Sequence, residues 1–294
     1  MKNKVFIWGH NGDGHTHGHI HSAYFRAFKD MGFESYWINS KGNLKDEDFN
    51  ESIFFTHHIV MNGMPLIKSC KYITHHANIN HFLNAGIPRE NILQLGNYIH
   101  KEEIHEKINE TAYWNDSART LYQTWATDLL PHEIDENNSI PFNKSAENFN
   151  YVGTMYEQGS WWFNSFSNIL KNGHKVNCRL IGGFGRPVSF QENIKLARES
   201  FLCPDFRSDW HLECGYIPCR AYKNISYGRV AGTNSPWVKR ALGDYIVYGG
   251  TPSTLYGKLI DAELNNKINM REAMLYVKDK HTYVNRIKTI LKFL

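Results

Sequence analysis

The stretch Gly215-Tyr-Ile-Pro-Cys-Arg-Ala-Tyr-Lys-Asn-Ile-Ser-Tyr-Gly228 combines two cations with the signals of a short helix. Pro218 suits the first turn, where its missing N–H costs nothing. Gly228 suits the residue just past the end. Arg220 and Lys223, three apart, fall on adjacent turns of one face. Two cations beside a helix start are suited to an anionic group such as a phosphate. Their alternative is a surface salt bridge, which contributes little. The residues that follow, Arg229-Val-Ala-Gly-Thr-Asn-Ser-Pro, predict a short strand and a turn. Ser235 then caps a helix that opens with Pro236.

A second group of reactive side chains lies near the N-terminus, in Gly9-His-Asn-Gly-Asp-Gly-His-Thr-His-Gly18 and the residues after it. Asp13, His15, His17, His19 and His21 cluster there beside glycines. A carboxylate or imidazole within hydrogen-bond reach of a hydroxyl can take its proton as the oxygen attacks. Asp13 is the first candidate for that base and His17 the second. The pairs His15-Thr-His17 and His17-Gly-His19 also have the HxH spacing of metal-dependent hydrolases, with His75 and His76 as further ligands. A plainer alternative is that each histidine is a solvated loop residue or a helix cap.

These groups need elements to position them. Val5 to Trp8 reads as a buried strand, and Ile20, Ala23, Tyr24, Ala27, Phe28 and Met31 recur at helical spacing. Gly32 ends that helix and Glu34 to Ile38 reads as the next strand. Further strands are expected at Ser52–Phe55, Lys71–Thr74, Ile92–Leu95 and Arg119–Gln123. The polar, aperiodic stretch Asp135–Asn148 reads as a linker. A second series starts with a strand at Asn150–Val152, and Trp161, Trp162, Phe166, Ile169 and Leu170 then suit a packed helix. Helical spacing places the two tryptophans in a core, although they can also stack on a sugar or base. Strands at Lys175–Ile181 and Tyr245–Tyr248 follow, and Val284, Ile287, Leu291 and Leu294 share one face of a terminal helix. The whole is α/β.

Composition sets the outer bounds. The 294 residues suffice for one large or two ordinary domains, and 21% charged residues fit a globular chain. A net charge of +4 without a clustered basic face argues against a nucleic-acid partner. Five cysteines without CxxC spacing predict reduced thiols in a cytoplasmic protein. The apolar run at the N-terminus is too short for a signal peptide, and no stretch is long enough for a membrane span.

The segment from Gly215 to Gly228 with its following strand resembles the GT-B superfamily of nucleotide-sugar glycosyltransferases, and Tyr151-Val-Gly-Thr-Met155 is similar to the opening strand and loop of that family's nucleotide domain. His281-Thr-Tyr283 with Arg286 is similar to its C-terminal helix. His17-Gly-His-Ile-His-Ser-Ala-Tyr-Phe-Arg-Ala-Phe28 and Trp125-Ala-Thr-Asp-Leu-Leu-Pro131 resemble the glycosyltransferases of large algal viruses, some of which are xylosyltransferases. The resemblance implies two Rossmann-like domains facing across a cleft, an acceptor domain over 1–140 and a nucleotide-sugar domain over 149–294, with the C-terminal helix packing back. It implies nucleotide contacts from Gly153, Thr154, Gly182 and Arg186, and from Tyr216, Arg220, Lys223, Asn224 and Ser226. His15, His19, His75 and His76 would border the acceptor.

One departure stands out. Alignment on Gly228 puts Lys223 where many members carry a ribose-binding Glu, and an ammonium cannot accept hydroxyl hydrogen bonds. Either Lys223 binds phosphate or another residue, such as Glu213, holds the ribose. The implied reaction is transfer of a sugar from a nucleotide-diphosphate sugar, UDP-xylose among the candidates, to a glycan hydroxyl with inversion. Arg220 and Lys223 can take the place of a metal at the diphosphate, so neither a metal ligand nor a cofactor is expected. A metal-dependent hydrolase and a non-catalytic carbohydrate- or nucleotide-binding protein are the alternatives.

Overall fold

The computed structural model describes residues 4–12, 14–97, 112–155, 157–183, 186 and 188–294. Among them, the residues up to Asn97, Ala112–Gln123 and Tyr283–Leu294 form one compact unit, and Thr124–Thr282 form a second.

The first unit is built on β1 (Lys4–Trp8), β2 (Glu34–Ile38), β3 (Ile53–His57), β4 (Lys71–His75), β5 (Ile92–Gly96), β6 (Ala112–Asn115) and β7 (Thr120–Gln123). Their order is β2-β1-β3-β4-β5-β7-β6, parallel except for the β6–β7 pair. The sheet is open, unlike the closed barrel on which HxH hydrolases are built. Apolar runs without alternation, such as Val5–Trp8 and Ile53–Phe55, are buried on both faces, as parallel strands require. On one face, register sets Tyr36, Phe6, Phe54 and Tyr72 side by side across four strands. Their rings stack at 5.1, 5.4 and 5.4 Å, contacts of about 0.5–1.5 kcal/mol each beyond area burial. The other face takes α1 (Thr16–Asp30), whose Tyr24 ring lies 4.1 Å from Phe55.

The terminal helix Tyr283–Ile290 packs back on α1, with Tyr283 4.6 Å from Tyr24. Phe293 stacks on Trp114 and its carbonyl accepts from Arg119 at 3.2 Å. The last twelve residues therefore belong to the first unit.

The second unit holds β8 (Asn148–Val152) parallel to β9 (Asn177–Ile181), and β10 (Cys203–Asp205), β11 (Ala231–Thr233) and β12 (Val247–Tyr248), also parallel. The two pieces meet where the Phe201 N–H donates to Asn148 at 2.7 Å and the Asn150 N–H donates to Ser200 Oγ at 2.9 Å. Trp162 is buried with Phe206 in this core, whereas Trp161 is exposed. The helix Cys219–Ser226 starts one residue after Pro218, and Gly228 follows its end at φ +86°. A Cβ at Gly228 would meet the Asn138 carbonyl at 2.9 Å, which closes the position to side chains. Ser235 caps Pro236–Leu242, its Oγ accepting from the Val238 N–H at 3.4 Å. All five cysteines are free thiols, and no helix of the described residues is long and apolar enough to cross a membrane.

Candidate functional site

Two groups of side chains stand at strand ends, one in each unit. In the second unit the group gathers at the carboxyl ends of β8, β9 and β10, where open parallel sheets bind ligands. β8 runs into Gly153 at φ +131° and β9 into Gly182 and Gly183 at +77° and +100°. The two turns meet, since a Cβ on Gly183 would lie 3.6 Å from Thr154 Oγ1. That hydroxyl is buried and has no hydrogen-bond partner among the described residues. A Cβ on Gly153 would lie 2.4 Å from Arg220 Nη2, so only glycine lets the guanidinium lie over this turn.

Arg220 is held on four sides. Its Nε and Nη2 donate to the Val152 carbonyl at 3.2 and 2.7 Å. Its Nη1 donates to Asp205 Oδ1 at 3.0 Å and to the Tyr151 hydroxyl. The guanidinium sits 4.0 Å from the Tyr151 ring centroid, in cation–π contact. Of its five N–H donors, four are taken up by described residues, which leaves one on Nη2 for a ligand.

Asp205 is the hub of this group. It is fully buried and accepts from both Arg220 and Arg207, the latter at 2.6 Å. Arg207 is fixed in turn by Asn234, which accepts from its N–H at 2.7 Å and donates to its carbonyl at 2.8 Å. Beside them Ser208 Oγ and His211 Nδ1 lie 2.7 Å apart. Burial, helped by the Arg207 charge, lowers the His211 pKa to about 4.

The other predicted nucleotide contacts are spread over this unit. Tyr216 accepts from Trp125 Nε1 at 2.9 Å. Asn224 Nδ2 donates to the Cys203 carbonyl at 3.0 Å and Ser226 Oγ pairs with Thr127 at 2.6 Å. Lys223 has a different partner from Arg220: its ammonium lies 2.7 Å from Asp128, which also accepts from Tyr227 at 2.6 Å. Both groups of the Lys223–Asp128 pair are buried, so this cation is already neutralised inside the fold. Arg186 is exposed, and its N–H donates to Gly183 at 3.1 Å. Glu213 is exposed as well. Asp205, Arg207 and His211 carry no sequence signal of their own beyond proximity to the predicted segment.

In the first unit the histidines gather at the carboxyl ends of β1, β3 and β4. Asp13 lies outside the described residues. His15 caps α1, its Nδ1 accepting from the His17 N–H at 3.1 Å. His17 is therefore in the first turn, with its ring stacked 4.0 Å from that of His57. His57 ends β3 and, like His10, is buried, and the nearest ring nitrogens of the two lie 3.5 Å apart. Burial, then the neighbouring imidazoles, lowers His17 to about 3 and His57 to about 2, so both rings are neutral at pH 7. His75, paired in register with His57, is buried and lowered in the same way. His76 is exposed at φ +53°, and His19 is half-buried on α1. His15 and His17 thus come together with His10 and His57, two residues that the HxH spacing did not point to.

No family model matches the sequence, and no curated protein does. Solved structures do. An α,α-trehalose-phosphate synthase (UDP-forming) from Burkholderia xenovorans, in complex with glucose-6-phosphate, aligns with 78% of this chain over 73% of its own at a TM-score of 0.52 and 10% identity. Another structure of a UDP-forming synthase from Burkholderia xenovorans covers 100% of this chain and 98% of its own, at 0.52 and 8% identity. The fold is of the GT-B type. At these identities the likeness concerns the backbone, and the assignment of residues to roles rests on the geometry above.

Proposed function

We propose that this protein transfers a sugar from a nucleotide-diphosphate sugar, with UDP favoured, to a sugar hydroxyl. The observation that carries the reading is the convergence of the Gly153 and Gly182–Gly183 turns with Arg220 at the ends of β8 and β9. Glycine turns let a diphosphate approach the backbone, and a preorganised cation stabilises the charge that develops on the leaving group. The likeness in fold to a UDP-forming synthase over nearly all of both chains supports the nucleotide. Lys223 is engaged by Asp128, so the proposal puts the charge stabilisation on Arg220. In the first unit, Asp13, the first candidate, takes the acceptor proton, and His15, His19, His75 and His76 border the acceptor. Burial lowers His17 to about 3, which leaves it deprotonated at neutral pH but a weak proton acceptor, and this puts Asp13 ahead of it. Xylose as the sugar, and inversion at the anomeric carbon, are the finer parts of the proposal.

UDP and UDP-sugars should raise the melting temperature by mass action. Arg220→Ala should weaken UDP binding about 10- to 100-fold, the span of a charged hydrogen bond. Calorimetric titration of variants that keep their far-UV spectrum measures this, and an unchanged affinity would sink the diphosphate role. Asp13→Asn should cut turnover and leave UDP affinity intact. Turnover should also need neither magnesium nor manganese, since the cation at the diphosphate is a guanidinium. Binding of UDP-sugar without any turnover, across a panel of sugar acceptors, would point instead to a non-catalytic binding protein.

A further inference from the structure

We propose that His10, His17 and His57 form a site for one transition-metal dication, with zinc as the first choice. One ring nitrogen from each lies within 4.8 Å of the others. A tetrahedral zinc with Zn–N bonds of about 2.0–2.1 Å sets its nitrogens about 3.3 Å apart. His10 Nε2 and His57 Nδ1, at 3.5 Å, already meet that spacing, and a His17 ring nitrogen lies within 4.8 Å of a ring nitrogen of each.

The ligands come from three elements held by the sheet. His57 is the last residue of β3, His10 follows β1 by two residues, and His17 sits in the first turn of α1. β1 and β3 are adjacent and in register up to Trp8 and Thr56, which fixes the two strand ends against each other. The turn that brings His10 over His57 uses Gly9 at φ +86°, where a Cβ would lie 2.2 Å from Val60. His10 itself sits at φ +59°, a left-handed conformation that is unfavourable for a non-glycine residue. The Gly9 carbonyl is pinned by His21 Nδ1 at 3.0 Å and by Trp37 Nε1 at 2.9 Å. His17 is oriented by the His15 cap. The backbone is thus held in an unfavourable shape that presents one imidazole to another.

Three imidazoles, with no carboxylate beside them among the described residues, select borderline metals such as zinc, copper or nickel over magnesium and calcium. Three protein nitrogens also leave a fourth position for water or a ligand oxygen. The inference does not rest on the glycosyl-transfer reading, whose own test is nucleotide binding in the second unit.

The test uses the full chain, stripped with a chelator, dialysed and titrated with zinc chloride by calorimetry, with cobalt(II) absorption as a second readout. We expect one zinc per chain and a visible cobalt band of tetrahedral type. His17→Ala and His57→Ala should each weaken zinc about 100-fold or more and abolish the band. His81→Ala, a change at an exposed histidine on the helix Ile79–Asn84, should leave both unchanged. If His57→Ala does not fold, His17→Ala decides, because that side chain is only partly buried. Failure of the wild-type chain to bind zinc stoichiometrically, or equal binding by the His17 variant, overturns the site.

Discussion

Asp205→Ala should destabilise the second unit by about 3–5 kcal/mol, the usual result of removing one partner from a buried ion pair. The carboxylate has no exposed surface and faces two guanidinium groups, Arg207 at 2.6 Å and Arg220 at 3.0 Å. Loss of Asp205 leaves both cations close together with no counter-ion. Neither can swing into water easily, since Arg207 is 8% exposed and Arg220 is bonded to the Val152 carbonyl. Domains are stable by only about 5–15 kcal/mol, so the change consumes a large part of the total. Asp205→Asn keeps the shape and one acceptor and should fall between wild type and Ala. Urea denaturation followed by far-UV circular dichroism measures both. A loss below about 1 kcal/mol for Asp205→Ala would mean that the arginines find other partners, which contradicts the hub role given to this residue.

Asp205 also marks where the sequence stopped being legible. Its strand, Cys203–Asp205, has three residues and contains Pro204, which removes a ladder donor and disguises a strand. Longer parallel strands were plain: Glu34–Ile38 has the bounds expected from its pattern, and Lys71–His75 and Ile92–Gly96 differ by one residue at the end. The terminal helix and the cap at Ser235 were readable for the same reason, because both are local signals of spacing and residue type.

What spacing could not supply was partners from far along the chain. Arg220 and Lys223 looked like a matched pair of phosphate cations. One is tied to Asp205, fifteen residues earlier, and the other to Asp128, brought in from the segment after β7. The HxH pairs suffered similarly. Because α1 begins at Thr16, His15 becomes a cap and His17 a first-turn residue, and its ring meets His57, forty residues on. Only the β1–β3 pairing puts His10 and His57 together.

That same gathering of imidazoles should make the metal-free protein acid-sensitive. Burial lowers His57 to about 2 and His17 to about 3, and holds His75 well below its usual value. In the unfolded chain these rings titrate near 6.5. Below about pH 7.5 the unfolded state therefore begins to bind protons that the folded state refuses, and stability must fall as pH falls, most steeply below about 6.5; above about 7.5 these groups contribute almost no slope. The steep window runs from about 6.5 down toward 3, where the folded rings themselves begin to protonate. His57 and His75, 3% and 2% exposed, each contribute up to about 1.4 kcal/mol per pH unit, so the two together approach about 2.7. Urea midpoints at pH 7.5, 6.5 and 5.5 should fall progressively, with the second step about three times the first. His75→Gln removes one titrating ring and should shallow the slope by about half of that sum, whatever it does to stability at pH 7.5. A flat or rising profile between pH 6.5 and 5.5 would mean that the folded cluster accepts protons as readily as the unfolded chain. Neutral imidazoles facing one another at the strand ends would then be the wrong description of this site.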